Sequence, residues 1–258
     1  MTVVLITGAA NGMGAATARH LSGLGYTVVG SDIVERPGLD PVDVRDDAAV
    51  RAWVRSAHDA FGRIDAVVTF AVSAIVGAVE ETEPDEAATI FDINVLGAHR
   101  VLRAVLPIMR AQGSGRIVLV SSGAGAIAEP FGGWYSATKA AIERLGEAVR
   151  METAPFGIHT SVLAPGWTVT PIIDSAVRVS EPIDAYTPAR TAVVERVTGY
   201  LEAGQTAEAV ARTVQRILAA TTPEQLYLCG SDVRSSFWSR RLLPARLYHR
   251  LVRRYYGV

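Results

Sequence analysis

Apolar and polar positions along this chain switch repeatedly between two periods. Val3–Thr7 is an unbroken apolar run of β-branched type, followed by a glycine-rich stretch from Gly8 to Gly14 and then by alanine-rich helical spacing. That order predicts strand, turn and helix. A second apolar strand over 27–31 ends at Asp32, and a third is expected over 41–44. Residues 46–61 carry Val50, Trp53, Val54 and Ala57 at helical spacing, which assigns Trp53 to the core. Further strands are expected over 64–70, 116–121, 158–164 and Leu226–Cys229. Between them, 84–112 reads as one long amphipathic helix through Ile90, Phe91, Val101, Leu102, Val105, Leu106 and Met109, and 134–154 as another. Thr206 caps a last one that runs to Ala219.

Strands alternating with helices predict a single Rossmann-type, doubly wound α/β domain with a seven-stranded, mostly parallel sheet. No repeat or linker divides residues 1–233, which are read as one dinucleotide-binding catalytic domain. Within it, 171–205 has weak periodicity and contains Pro171, Pro182 and Pro188, the pattern of a mobile lid over a substrate pocket. Its composition is mostly apolar with few polar anchors, which favours a lipophilic substrate. Residues 234–258 form a basic amphipathic extension, divided by Pro244 and helical from Ala245 onward.

With 258 residues and 49% hydrophobic, the chain can bury a core without metals or disulfides. Cys229 is the single cysteine; it is expected as a small buried strand residue and fits a reducing cytoplasm. The apolar start lacks a basic leader and no apolar run reaches membrane-spanning length. Net charge is −1, but the seven arginines after Asp232 leave residues 1–233 at −8. An acidic body argues against a nucleic-acid partner. It favours docking of the basic tail on the body or a neighbouring subunit over contact with an anionic membrane surface.

Candidate chemistry begins at the glycine turn, which lets backbone approach a pyrophosphate while the following helix offers free N–H groups. Asp32, eighteen residues past Gly14 at the end of the second strand, can accept hydrogen bonds from ribose hydroxyls. The chain has 24 arginines and one lysine, Lys139, four residues after Tyr135. On a helix the two project a phenol and an ammonium toward one spot, and a cation beside a phenol favours the phenolate.

Thr7, Gly8, Gly12 and Gly14 match the Thr-Gly-x-x-x-Gly-x-Gly turn of the short-chain dehydrogenase/reductase family. Residues 1 to about 230 resemble that family throughout. The resemblance implies a catalytic set of Asn94, Ser122, Tyr135 and Lys139, with Ser122 thirteen residues before Tyr135 and Asn94 holding a water that feeds protons to the lysine. It implies cofactor contacts from Gly8, Asn11, Gly12, Met13, Gly14, Asp32 and Ile33, from Asp43 and Val44 beside the adenine, and from Ala71. Tyr135 and Lys139 contribute too, as do Pro165, Gly166, Thr168 and Thr170 of the Pro-Gly-x-x-x-Thr segment, whose threonine binds the nicotinamide carboxamide. The family's NADP users carry a basic residue where this chain has Asn11 or Ile33, so NAD is the expected cofactor. Thr69-Phe70-Ala71-Val72 replaces the family's Asn-Asn-Ala-Gly, leaving Phe70 to pack or to stack near the adenosine. The expected activity is interconversion of a secondary alcohol and a ketone by a homodimer or homotetramer, with no metal. A non-catalytic dinucleotide-binding module and an NADPH-dependent biosynthetic ketoreductase are the alternatives.

Overall fold

The structure, a computed structural model, describes residues 1–173 and 176–258. In chain order the elements are β1 (Val3–Thr7), α1 (Gly12–Gly23), β2 (Thr27–Asp32), β3 (Leu39–Pro41), α2 (Asp47–Phe61), β4 (Ala66–Thr69), β5 (Ile75–Val76) and α3 (Pro84–Phe91). They continue with α4 (Gly97–Gln112), β6 (Gly115–Val120), α5 (Gly133–Thr153), β7 (Ile158–Pro165), β8 (Val177–Arg178), α6 (Thr187–Glu202), α7 (Ala207–Ala219), β9 (Leu226–Cys229), α8 (Ser231–Leu242) and α9 (Ala245–Tyr256).

Seven strands form one sheet in the order β3-β2-β1-β4-β6-β7-β9, with every neighbouring pair parallel. Helices cover both faces, which is why β1 is buried at every position. Val3 and Leu5 pack with Trp53, Val101, Val105 and Ile142 of α2, α4 and α5. Val4 and Ile6, pointing the other way, pack with Leu21, Val210 and Val214 of α1 and α7. The strand order reverses direction between β1 and β4, so a crevice opens at their carboxyl ends.

Three expectations are corrected. The third strand ends at Pro41 rather than beginning there. Proline brings no N–H to a ladder, and Asp43 turns the chain by accepting from the Arg45 N–H (2.9 Å) and guanidinium. Residues 84–112 are continuously helical but not uniformly α: a π-helical turn, Asp92–Leu96, lies between α3 and α4 and contains Asn94. Finally, the lid is better anchored than its composition suggested. β8 pairs with β5, and α6 is a helix of 16 residues. The acidic stretch before and within α3 supplies the polar ties. Glu81 accepts from Ile183 N (2.7 Å) and pairs with Arg190, Glu86 accepts from Ser180 N (2.9 Å), and Glu80 accepts from the Tyr186 hydroxyl (2.7 Å). Positions 174 and 175 of the lid lie outside the described residues.

The expected division after residue 233 falls inside α8. The tail folds back onto the body: α9 packs on α6, and Tyr255 stacks on Tyr200, ring centroids 4.7 Å apart. The Tyr255 hydroxyl also accepts from Trp167 Nε1 at 2.8 Å. Trp53 and Cys229 are both buried as expected, and Thr206 caps α7.

Candidate active site

The glycine turn leaves the carboxyl end of β1 with left-handed backbone at Gly8 and Gly12 (φ +69° and +50°), a conformation that favours glycine. A Cβ on Gly14 would lie 2.0 Å from the Gly8 carbonyl oxygen, so only a bare α-carbon lets α1 start this close to β1. Asn11 places no side-chain cap on α1, so the first-turn N–H groups stay available for an anion. These features fit the pyrophosphate of a dinucleotide.

Asp32 binds the rim of this turn, accepting from Ala10 N (2.9 Å) and Val34 N (3.0 Å). Ile33 is exposed beside it. The adenine-side residues differ from each other: Val44 is buried, while Asp43 is held by Arg45, whose hydrogen bonds draw its carboxyl below the ordinary carboxylate range. Ala71 N donates to the Thr7 hydroxyl (3.2 Å) where Gly8 passes closest. Phe70 packs in the core with Ile6, Val68 and Leu21 rather than facing the crevice.

Ser122 follows β6 in extended conformation, and its Oγ accepts from Ala124 N at 3.2 Å. That leaves its proton free to turn toward the Tyr135 phenol, whose charged form Ser122 favours. Tyr135 lies in the first turn of α5, and Lys139 one turn later is buried with Nζ on the Val120 carbonyl (3.0 Å) and 5.5 Å from the phenol ring centroid.

The electrostatics depart from expectation. Burial and the carboxylate of Glu129 push the Tyr135 phenol up, and Ser122 only partly opposes them. Lys139 is itself pulled down to about 8 by burial. Desolvation, which penalises both charged forms, outweighs the ammonium's pull, so the phenol shifts up rather than down.

Asn94 is buried and holds three bonds: Oδ1 accepts from Ser73 N (2.8 Å), while Nδ2 donates to Ser73 O (2.9 Å) and Thr138 Oγ1 (3.0 Å). Thr138 in turn donates to the Tyr135 carbonyl (2.7 Å). Asn94 thus ties the loop after β4 to the helix that carries Tyr135. Ser73 and Thr138 went unnoticed in the sequence because neither has a diagnostic neighbour.

Ser122, Tyr135, Met13, Pro165, Gly166, Thr168 and Thr170 line one cleft of about 1090 Å³, its open mouth included. Thr168 turns inward and donates to the Gly166 carbonyl (2.9 Å), and Thr170 bonds the Thr168 carbonyl. Asn94 and Lys139 stand behind that wall. The outer half of the cleft is mostly apolar, through Ile127, Phe131, Trp167, Val193 and Val197, with Tyr255 and Tyr256 from the tail. Glu129 interrupts it; a lone acid in a stretch of small, apolar and proline residues is the signal that could have flagged it.

Burial raises the Glu129 carboxyl from 4.5 to about 7, against the Tyr256 hydroxyl, which lowers it. A carboxyl raised by folding contributes its stability below its ordinary value and loses it as pH rises through about 7. Going from about pH 5 to about pH 8, the unaltered protein should therefore lose melting temperature relative to Glu129→Gln. A difference between the two that does not change with pH contradicts this.

Comparison with known proteins agrees with the geometry. The family model described as short chain dehydrogenase matches residues 2–179. A 3-ketodihydrosphingosine reductase of Bacteroides thetaiotaomicron is 35% identical over 169 residues, covering 64% of this chain but only 63% of the relative. Oxidoreductase UcpA of Escherichia coli K12 is 33% identical over 238 residues, covering 84% of this chain and 90% of the relative. Among solved structures, a short chain dehydrogenase/reductase from Burkholderia phymatum in complex with NAD superposes with a TM-score of 0.82 at 25% identity, over 93% of this chain and 92% of the other. With its glycine turn, parallel sheet and Ser122–Tyr135 pair in place, the chain belongs to the short-chain dehydrogenase/reductase family, oxidoreductases that bind a nicotinamide dinucleotide.

Proposed function

We propose that this protein is an NAD(H)-dependent oxidoreductase that interconverts a secondary alcohol and a ketone on a lipophilic small molecule. The observation that carries the reading is that Ser122 and Tyr135 face one apolar cleft that also reaches Met13 of the glycine turn. Gly8, Asn11, Gly12, Met13 and Gly14 hold the pyrophosphate, Asp32 and Ile33 border the adenosine ribose, and Pro165, Gly166, Thr168 and Thr170 border the nicotinamide. When bound, the nicotinamide supplies or accepts the hydride.

Ser122 Oγ bonds the substrate oxygen and stabilises charge that develops there. Tyr135 Oη carries the proton: it donates to that oxygen in reduction and takes the hydroxyl proton in oxidation. Lys139 anchors the nicotinamide ribose, and Asn94 positions the helix through Thr138.

Two features favour different cofactors. Asp32 opposes a 2′-phosphate by charge, whereas Arg36, whose Nη2 donates to Asn11 Oδ1 at 3.1 Å, brings a cation to the same rim. The second reading, an NADPH-dependent ketoreductase, rests on that arginine. Asp32 favours NAD, since its carboxylate is fixed on β2 by two backbone bonds while Arg36 is a long exposed side chain. NADH should bind more tightly than NADPH, and Asp32→Ala should narrow the gap by about tenfold or more. Equal affinities in fluorescence titration of the unaltered protein would refute it.

A panel of steroid, terpenoid and hydroxyacyl substrates with NAD, followed by NADH absorbance, tests the activity. Cofactor binding with no turnover across the panel would favour a non-catalytic binding module. We place the enzyme in the cytoplasm as a homodimer or homotetramer without a nucleic-acid partner. No helix among the described residues is long and apolar enough to cross a membrane, and no group of residues among them could hold a metal ion.

A further inference from the structure

Glu129 is the feature of the cleft that the chemistry at Ser122 and Tyr135 does not use. Its loop is fixed on both sides: Glu129 N donates to Ser136 Oγ (3.1 Å) and Glu129 O accepts from Gly132 N (3.1 Å). Between them Phe131 has φ +58°, the only left-handed backbone at a non-glycine among the described residues. Such a conformation is costly for a bulky aromatic residue and persists only where its surroundings impose it.

The loop thereby presents a carboxylate to a wall made of Ile127, Phe131, Val193 and Val197. A carboxylate offers about four acceptor positions. Among the described residues the Tyr256 hydroxyl is the one group that favours its charged form. Asp232, the other carboxylate on the cleft, is already engaged by Trp167 N at 2.7 Å.

Tyr256 shows what this corner accepts. Its ring is buried with Val193 and Val197, and its hydroxyl reaches the carboxylate. An apolar ring with a hydroxyl at its end is therefore matched by the protein's own tail.

We propose that Glu129 is a specificity-determining residue that accepts a hydrogen bond from a hydroxyl on a hydrophobic, ring-bearing substrate, using the acceptor positions Tyr256 leaves free. The proposal deepens the reading of this cleft as the site of an alcohol–ketone oxidoreductase and rests on it.

The test compares 1-tetralone with 6-hydroxy-1-tetralone, ketones that differ only by a phenolic hydroxyl, in calorimetric titrations of the full chain with and without NAD. At about pH 8, above the raised Glu129 value of about 7, the hydroxylated compound should bind about tenfold or more tightly, as expected for a hydrogen bond to a charged acceptor. Glu129→Leu should remove that preference and the isosteric Glu129→Gln should reduce it. NAD affinity of each variant verifies that it is folded. Equal affinities for the two ketones, binding of neither, or a preference that survives Glu129→Leu overturns the proposal. Absence of turnover with NADH while the binding preference stands counts against the proposed oxidoreductase activity and leaves the subsite intact.

Discussion

Tyr135→Phe is expected to lower turnover by at least about a hundredfold while leaving cofactor affinity nearly unchanged. The variant keeps the ring and its packing against Ile75 and Ile90, so the start of α5 holds its place. It loses the hydroxyl, and with it the group that moves a proton at the substrate oxygen. The glycine turn and the ends of β2 and β7 do not depend on that hydroxyl, which is why NADH binding persists. Single-turnover kinetics alongside fluorescence titration separate the two effects. A variant that retains more than about a tenth of the rate would remove Tyr135 from the proton path.

Glu81→Ala is expected to cost about 3–5 kcal/mol of stability, the range for removing one partner of a buried pair. The Glu81 side chain is fully buried and that of Arg190 is 16% exposed. Burial by itself would raise the carboxyl, yet it is lowered, because Ala78 N, Ile183 N and Arg190 all bond to the charged form. Truncation strands the arginine and frees two backbone donors at once. Glu81 is also the residue that ties the segment before α3 to the lid, so loosening it should raise KM for a lipophilic substrate. Urea denaturation measures the first effect; a loss under about 1 kcal/mol, typical of an exposed pair, would show that the pair is not structural. Adding Arg190→Leu should restore part of the loss, since it removes the unpaired charge.

The parts of this protein readable in sequence are those built by neighbours in the chain. Strand positions, the glycine turn, the Thr206 cap and the Tyr135–Lys139 spacing each depend on a few consecutive residues and on period. The failures share a cause as well. Proline at 41 and an aspartate turn at 43 cut the third strand short through hydrogen bonds that apolar patterning does not register. A π-helical turn adds a residue to one winding without disturbing apolar spacing on either side, so 84–112 looked uniformly α-helical.

What the sequence by itself determined is the fold class, the family and the residues around which catalysis is proposed, because short-range spacing carries all three. Only the tertiary structure decided the environment of those residues. Lys139 and Tyr135 are adjacent as expected, but the sign of the phenol's shift comes from burial and from Glu129, which lies on a separate loop. The lid is held by Glu80, Glu81 and Glu86, roughly a hundred positions away from their partners. Tyr256 reaches the cleft from the far end of the chain. Desolvation and long-range hydrogen bonds depend on which segments meet in space, and periodicity along the chain contains no record of that.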